Sequence, residues 1–238
     1  MKLEICTNSF ESALAAQNAG AHRIELCQEL LLGGITPSHG LIEKVLQELE
    51  IPVFVLIRPR SGDFMYSEAD FDVMLRDIAF AKAQGAQGMV SGILNRDFTI
   101  DAERTKQLIA ECGELPFTFH RAFDWTPNVL ATLELLIDMG AQRILTSGMN
   151  VNVNEGYETL LQLLAAARNR IGILPGGGIS VDNIMKFKNA GFSEVHGSLS
   201  SSTVGYNHAI KMHSLADHEN NLLQTSDVSK IKALLNRL

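Results

Sequence analysis

Short runs of β-branched and apolar residues alternate with longer amphipathic stretches along the whole chain. The runs predict strands over 3–7, 23–27, 53–57, 88–91, 117–120, 143–146, 172–174 and 194–196. Apolar positions at three- and four-residue spacing predict helices over 9–19, 41–49, 69–83, 102–112, 129–139, 157–168 and 183–189. A last helix fits 228–237, with Ser226 or Asp227 as its N-cap. Strict alternation predicts a parallel sheet, because parallel neighbours need a crossover that a helix supplies. Eight such pairs are the number that closes a barrel, so the expected fold is α/β, a single (β/α)8 TIM barrel over residues 1–238. A doubly wound open sheet is the alternative that alternation alone also allows. Residues 200–225 are polar and aperiodic and are expected to form an irregular loop, with the final helix in 226–238.

An internal repeat favours the barrel. The segments Gly20-Ala21-His22-Arg23-Ile24, Gly85-Ala86-Gln87-Gly88-Met89, Gly140-Ala141-Gln142-Arg143-Ile144 and Gly191-Phe192-Ser193-Glu194-Val195 match one another. Each reads as a helix C-cap glycine, free to take positive φ, that feeds directly into an even-numbered strand. The third and fifth strands begin instead at Ile51-Pro52 and Leu115-Pro116, where proline suits the first strand position. The interior layers of a barrel draw on odd and even strands in turn, which suits two strand types.

The repeat also assigns faces. Period-two alternation sends Glu4, Cys6, Arg23, Glu25, Cys27, Arg143, Glu194, His196 and Ser198 inward, and leaves Ile24, Leu26, Ile144 and Val195 under the helices. Buried charges must pair. Arg23 and Arg143 are therefore expected to bridge Glu4 or Glu194 low in the barrel.

Composition narrows the partners. The formal charge is -7, from 27 acidic and 20 basic side chains, which argues against nucleic acid or an anionic membrane. Three cysteines with no CxxC pair, and a start Met1-Lys2-Leu3-Glu4 unlike a signal peptide, predict a cytoplasmic protein. The longest strand-like apolar run, 53–57, is too short to span a bilayer.

Active sites of barrels sit at the carboxyl ends of the strands. There this chain collects Cys6, Glu25, Cys27, Arg58, Arg60, His120, Asp124, Thr146, Ser147, Gly177, Gly178, His196 and Ser198. Glu25, His120, Asp124 and His196 are candidates for acid/base work, with Asp124 placed to orient His120. Arg58, Arg60, Thr146, Ser147, Gly177, Gly178 and Ser198 are candidates for holding a small anion, the glycines because they let backbone N–H groups approach it. Plain turn chemistry for the glycines, and an ion pair to Asp63 or Glu25 for Arg58, are the alternatives. Cys6 and Cys27 end neighbouring strands about 4.8 Å apart. Together they suit a soft ion such as Cu(I), a disulfide or simple packing. Cys112 reads as a packing cysteine, and the spaced His208, His213 and His218 read as part of the polar loop.

Several of these segments resemble one family. Leu3-Glu4-Ile5-Cys6, Arg23-Ile24-Glu25-Leu26-Cys27, Gly33-Gly34-Ile35-Thr36-Pro37-Ser38 and Ile57-Arg58-Pro59-Arg60-Ser61-Gly62-Asp63-Phe64 look like the CutC copper-homeostasis family. So do Phe119-His120-Arg121-Ala122-Phe123-Asp124, Leu145-Thr146-Ser147-Gly148 and Glu194-Val195-His196-Gly197-Ser198. The resemblance runs from Leu3 to about Ser198. It implies a cytoplasmic barrel, a homodimer or higher homo-oligomer, that handles copper with Cu(I) on Cys6 and Cys27 and needs no organic cofactor. The polar rim keeps a second reading open, a barrel enzyme performing lyase, isomerase or hydrolase chemistry on a small phosphorylated or carboxylated metabolite.

Overall fold

Strands β1 (Lys2–Thr7), β2 (Arg23–Leu26), β3 (Val53–Leu56), β4 (Gly88–Ser91), β5 (Phe117–Phe119), β6 (Arg143–Thr146), β7 (Gly172–Pro175) and β8 (Glu194–Gly197) form one parallel sheet. They are seen in a computed structural model that describes residues 1–204 and 222–238. The sheet runs in the order β7-β6-β5-β4-β3-β2-β1-β8. A parallel bridge between Gly176 and His196 joins its two ends, so the sheet curls into the expected barrel rather than staying open. Helices α1 (Phe10–Ala19), α2 (His39–Glu48), α3 (Glu68–Ala83), α4 (Ala102–Cys112), α5 (Val129–Asp138), α6 (Tyr157–Ala167) and α7 (Ile184–Ala190) follow the first seven strands, and α8 (Val228–Leu235) closes the chain.

Local chemistry sets the helix ends. Ser9, Ser38, Asp101 and Asn128 cap α1, α2, α4 and α5, each accepting from a backbone N–H in the first turn. Ser67 and Asp70 form a reciprocal capping box at α3. The four repeat glycines, Gly20, Gly85, Gly140 and Gly191, all take left-handed backbone, with φ of 91°, 93°, 85° and 93°. A Cβ at Gly85, Gly140 or Gly191 would meet nothing within 4 Å. The backbone angle, not space, is what requires glycine there.

Beyond β8 the structure departs from the expected irregular loop. Residues Ser200–Val204 (β9) and Leu222–Ser226 (β10) pair antiparallel over five registered positions. A serine-rich stretch carries weak strand propensity, so the ladder and its docking supply what local preference does not. The docking is specific: Ser226 shares a 2.6 Å hydroxyl–hydroxyl hydrogen bond with Ser12 of α1. Asp227 is the N-cap of α8, one of the two residues expected. His208, His213 and His218 lie outside the described residues. Among the described residues, no helix is long and apolar enough to cross a membrane.

The lower barrel holds the anticipated charge cluster. Arg23 donates through Nε to Glu4 and, at 2.5 Å, through Nη2 to Glu194. Arg143 reaches Glu194 at 4.0 Å and donates Nε–H to Thr118 at 2.9 Å. Both guanidinium groups lie over the ring of Phe54, at 4.7 and 4.1 Å from its centroid. That ring fills the space a side chain at Gly88 would need. Cys112 is buried in the helix-facing core, as packing predicts.

Candidate functional site

The carboxyl ends of the strands open onto a cavity of about 760 Å³. Strand register builds its floor. β1 sets Cys6 beside Glu25 of β2 and Glu4 beside both Arg23 of β2 and His196 of β8. Cys6 Sγ lies 3.4 Å from Glu25 Oε1 and 3.5 Å from Cys27 Sγ. Ligand atoms of Cys6, Glu25 and His196 all fall within 4.8 Å of one another. Cys27 is fully buried behind them, packed with Cys6, Phe54, Leu56 and Val90.

Burial and neighbours pull the floor groups in opposite directions. The Cys27 sulfur, burial and the Glu25 carboxylate push the Cys6 thiol well above its ordinary range. Burial raises Glu25, the nearby charge of Glu4 adds to it, and His196 only partly offsets them. Glu4 is buried too, which alone would raise it. Its 2.7 Å hydrogen bond to His196 Nδ1 and the charges of His196, Arg23 and Arg143 outweigh burial and hold it at about 2. Burial also works against charge on His196, yet Glu25 and Glu4 win and raise its pKa.

His120 has the opposite surroundings. Its Nδ1 accepts from the Ala122 N–H at 3.2 Å, capping the short 3-10 turn Arg121–Trp125. The proton of the neutral ring therefore sits on Nε2, which is buried and without a partner among the described residues. Burial, then the charge of Arg58, lowers the His120 pKa to about 3. The ring lies against Phe64, 4.8 Å between centroids, and against Gly92, where a Cβ would come within 2.8 Å of it.

Other expected residues fall into place unevenly. Gly177, Gly178 and Ser198 line the cavity, and both glycines have positive φ, 100° and 94°. Arg58 lines it as well, but its Nη atoms donate to the carbonyls of Leu32, Gly34 and Gly62 at 2.7–3.0 Å. Neither Asp63 nor Glu25 pairs with it, and only its buried Nε lacks a partner. Arg60 turns away to Asp63, at 2.8 Å, and does not line the cavity. Asp124 does not orient His120. It accepts from Thr146 Oγ1, from Ser147 Oγ at 2.9 Å and from Arg121 Nε at 2.8 Å. Thr146 and Ser147 are thereby fully buried and absent from the cavity wall. Hydroxyls at the end of a strand satisfied a loop carboxylate before they met any ligand.

Arg121, which the strand ends also place at the rim beside His120, lines the cavity. Phe64, Gln224 and Lys230 line it too and were not expected there. Phe64 stands inside the segment that holds Arg58 and Arg60, so its proximity to Arg58 was an available signal. Gln224 and Lys230 arrive on β10 and α8, and nothing local to them announces it.

The CutC family profile matches residues 1–201 of this chain. A mouse "Copper homeostasis protein cutC homolog" is 44% identical over 237 residues, covering 98% of this chain and 87% of its own length. A CutC family protein of Pasteurella multocida is 45% identical over 197 residues, covering 82% of this chain and 81% of its own. The crystal structure of a putative copper homeostasis protein CutC from Streptococcus agalactiae superposes with a TM-score of 0.79 at 33% identity, over 83% of this chain and 98% of that one. Phosphoribosyl anthranilate isomerase from Thermus thermophilus, at 16% identity, a TM-score of 0.57 and coverage of 100% and 98%, shares the barrel alone. The family profile spans every strand of the barrel and each residue of the cavity floor, and the chain belongs to the CutC family.

Proposed function

We propose that this protein takes part in copper homeostasis by binding Cu(I) as cargo through Cys6 and Cys27. The observation that carries the reading is the 3.5 Å approach of Cys6 Sγ, which lines the open cavity, to Cys27 Sγ buried behind it. Thiolates are soft donors suited to Cu(I), and the surrounding Phe54, Leu56 and Val90 shield the pair from water. Copper-homeostasis names on the relatives support it. A cytoplasmic location and a homo-oligomeric state belong to the same proposal. Anaerobic Cu(I) titration against a competing chelator tests the site. Wild type is expected to hold Cu(I) far more tightly than Cys6→Ser or Cys27→Ser, and equal affinity in all three would sink the proposal.

A second reading is favoured by a different observation. Glu25 Oε2 and His120 Nε2 are buried, lack partners among the described residues and belong to side chains that line the cavity. Copper storage has no use for either. They suit an enzyme acting on a small phosphorylated or carboxylated metabolite, with Glu25 and His120 next to the reacting atoms. Arg58 would serve that site while also tying the loops after β2 and β3 together.

A further inference from the structure

We propose that the cavity binds a small anionic carbonyl compound and moves the proton on the carbon beside its carbonyl group, an inference that rests on the enzyme reading above. Three features point to this ligand. The first is charge. The chain carries -7 overall, yet the charged side chains lining the cavity are Arg58, Arg121 and Lys230 against the single carboxylate Glu25. Among the described residues no carboxylate lies within ion-pair distance of Arg58, which hydrogen-bonds carbonyl oxygens instead. Asp124 balances Arg121 at 2.8 Å, so the positive excess that an entering anion meets is that of Arg58 and Lys230 over Glu25.

The second is an unused donor near a positive charge. His120 Nε2–H is buried and unpartnered among the described residues, and its side chain lines the cavity together with Arg58. The bond from the Ala122 N–H fixes which His120 nitrogen bears the proton, and the low pKa keeps the ring neutral at ordinary pH. An N–H donor without an acceptor, with a guanidinium group lining the same cavity, is the complement of a carbonyl oxygen that gains negative charge.

The third is a single unused acceptor. The Cys6 thiol donates to Glu25 Oε1 and leaves Oε2 without a partner. A carboxylate oxygen so placed can take a proton from carbon, which the donor wall makes acidic.

The step balances without an oxidant or reductant. Glu25 takes the proton from the carbon next to the carbonyl. The C–H electron pair becomes the C=C bond of an enolate, and the carbonyl π pair moves onto oxygen, facing His120 and Arg58. Once the proton on Glu25 has exchanged with solvent, its return to the same carbon gives exchange. Its return to the former carbonyl carbon of a hydroxy carbonyl compound gives isomerisation, provided that the neighbouring hydroxyl gives up its proton and the former carbonyl oxygen gains one, a transfer for which His120 Nε2 is placed.

The test uses the full chain in D2O, with dihydroxyacetone phosphate in one arm and pyruvate or 2-oxoglutarate in the other. Proton NMR follows loss of the hydrogens beside the carbonyl, and calorimetry gives Kd for each probe. Exchange above the buffer rate is expected in one arm, and that arm identifies the anion as phosphate or carboxylate. Glu25→Gln should slow exchange by about 100-fold or more with Kd nearly unchanged. His120→Gln should slow it by about 100-fold. Where Glu25→Gln does not fold, Glu25→Asp keeps the charge, withdraws the oxygen and should slow exchange while binding persists. Wild-type exchange in a folded Glu25→Gln overturns the role of Glu25. Binding without exchange in either arm overturns the proton transfer and leaves the metabolite cavity standing. Neither binding nor exchange overturns both.

Discussion

Burial lowers the pKa of His120 and raises that of Glu25, because in each case it disfavours the charged form. His196 is just as buried and goes the other way, since its neighbours are Glu4 and Glu25. The His120 shift has a measurable consequence. An unfolded histidine titrates near pH 6.5, whereas the folded ring refuses its proton until about 3. Below about pH 6.5 the unfolded chain therefore holds a proton that the folded one lacks. The stability is complete above that pH and is lost as pH falls toward the folded value, by at most about 1.4 kcal/mol per pH unit. Melting of wild type and His120→Gln between pH 7 and 4, about the window the two pKa values define, should show a shallower slope in the variant. Parallel slopes would mean that the ring takes up protons while folded. At this scale Cys6, Glu25 and His196 were legible from strand parity alone, since alternation fixes which side chains turn inward. The tautomer of His120 was not, because it depends on a backbone N–H two residues on that only the turn brings close.

Strand β4 owes its start to glycines of two kinds. Gly85 needs a backbone angle, with open space around the missing Cβ, whereas Gly88 needs the room that the Phe54 ring occupies. Gly85→Ala should therefore cost about 1 kcal/mol for left-handed backbone. Gly88→Ala should cost more, typically about 1–3 kcal/mol, since the Phe54 ring it would meet lies under the guanidinium groups of Arg23 and Arg143. Chemical denaturation of the two variants checks the order, and a Gly85 variant as damaged as the Gly88 one contradicts the distinction. The repeat revealed the first kind of glycine, because cap chemistry is local. The second depends on a ring from the adjacent strand. The same division explains β9 and β10. Their ladder pairs residues on either side of a long polar segment, and the bond from Ser226 to Ser12 joins positions 214 residues apart, beyond the reach of any local pattern.

Across the whole barrel, charge is arranged in two storeys. Glu4, Arg23, Arg143 and Glu194 form the lower one, and His196 links Glu4 to the cavity floor above. Removing one partner strands the others in a dry interior. Arg23→Met should lower stability by about 3–5 kcal/mol in equilibrium unfolding. A loss within about 0.5 kcal/mol would show that water reaches the cluster and screens it. The pairing of these four was expected from inward parity and the cost of unpaired buried charge. The bond from His196 to Glu4 was not, because β1 meets β8 only when the sheet curls round.

By itself the sequence determined the alternation of strands and helices, the glycine caps, the inward parity of Cys6, Glu25 and His196, and the resemblance to the CutC family. All of these rest on periodicity or on chemistry within a few residues. Tertiary structure decided which polar groups are already satisfied and which are left over. Asp124, Thr146 and Ser147 consume one another, Arg60 is taken by Asp63, and Arg58 spends most of its donors on loop carbonyls. Glu25 Oε2 and His120 Nε2 remain. A hydrogen-bond donor or acceptor becomes available to a ligand only when no nearer partner claims it, and nearness is a property of the closed barrel rather than of the chain.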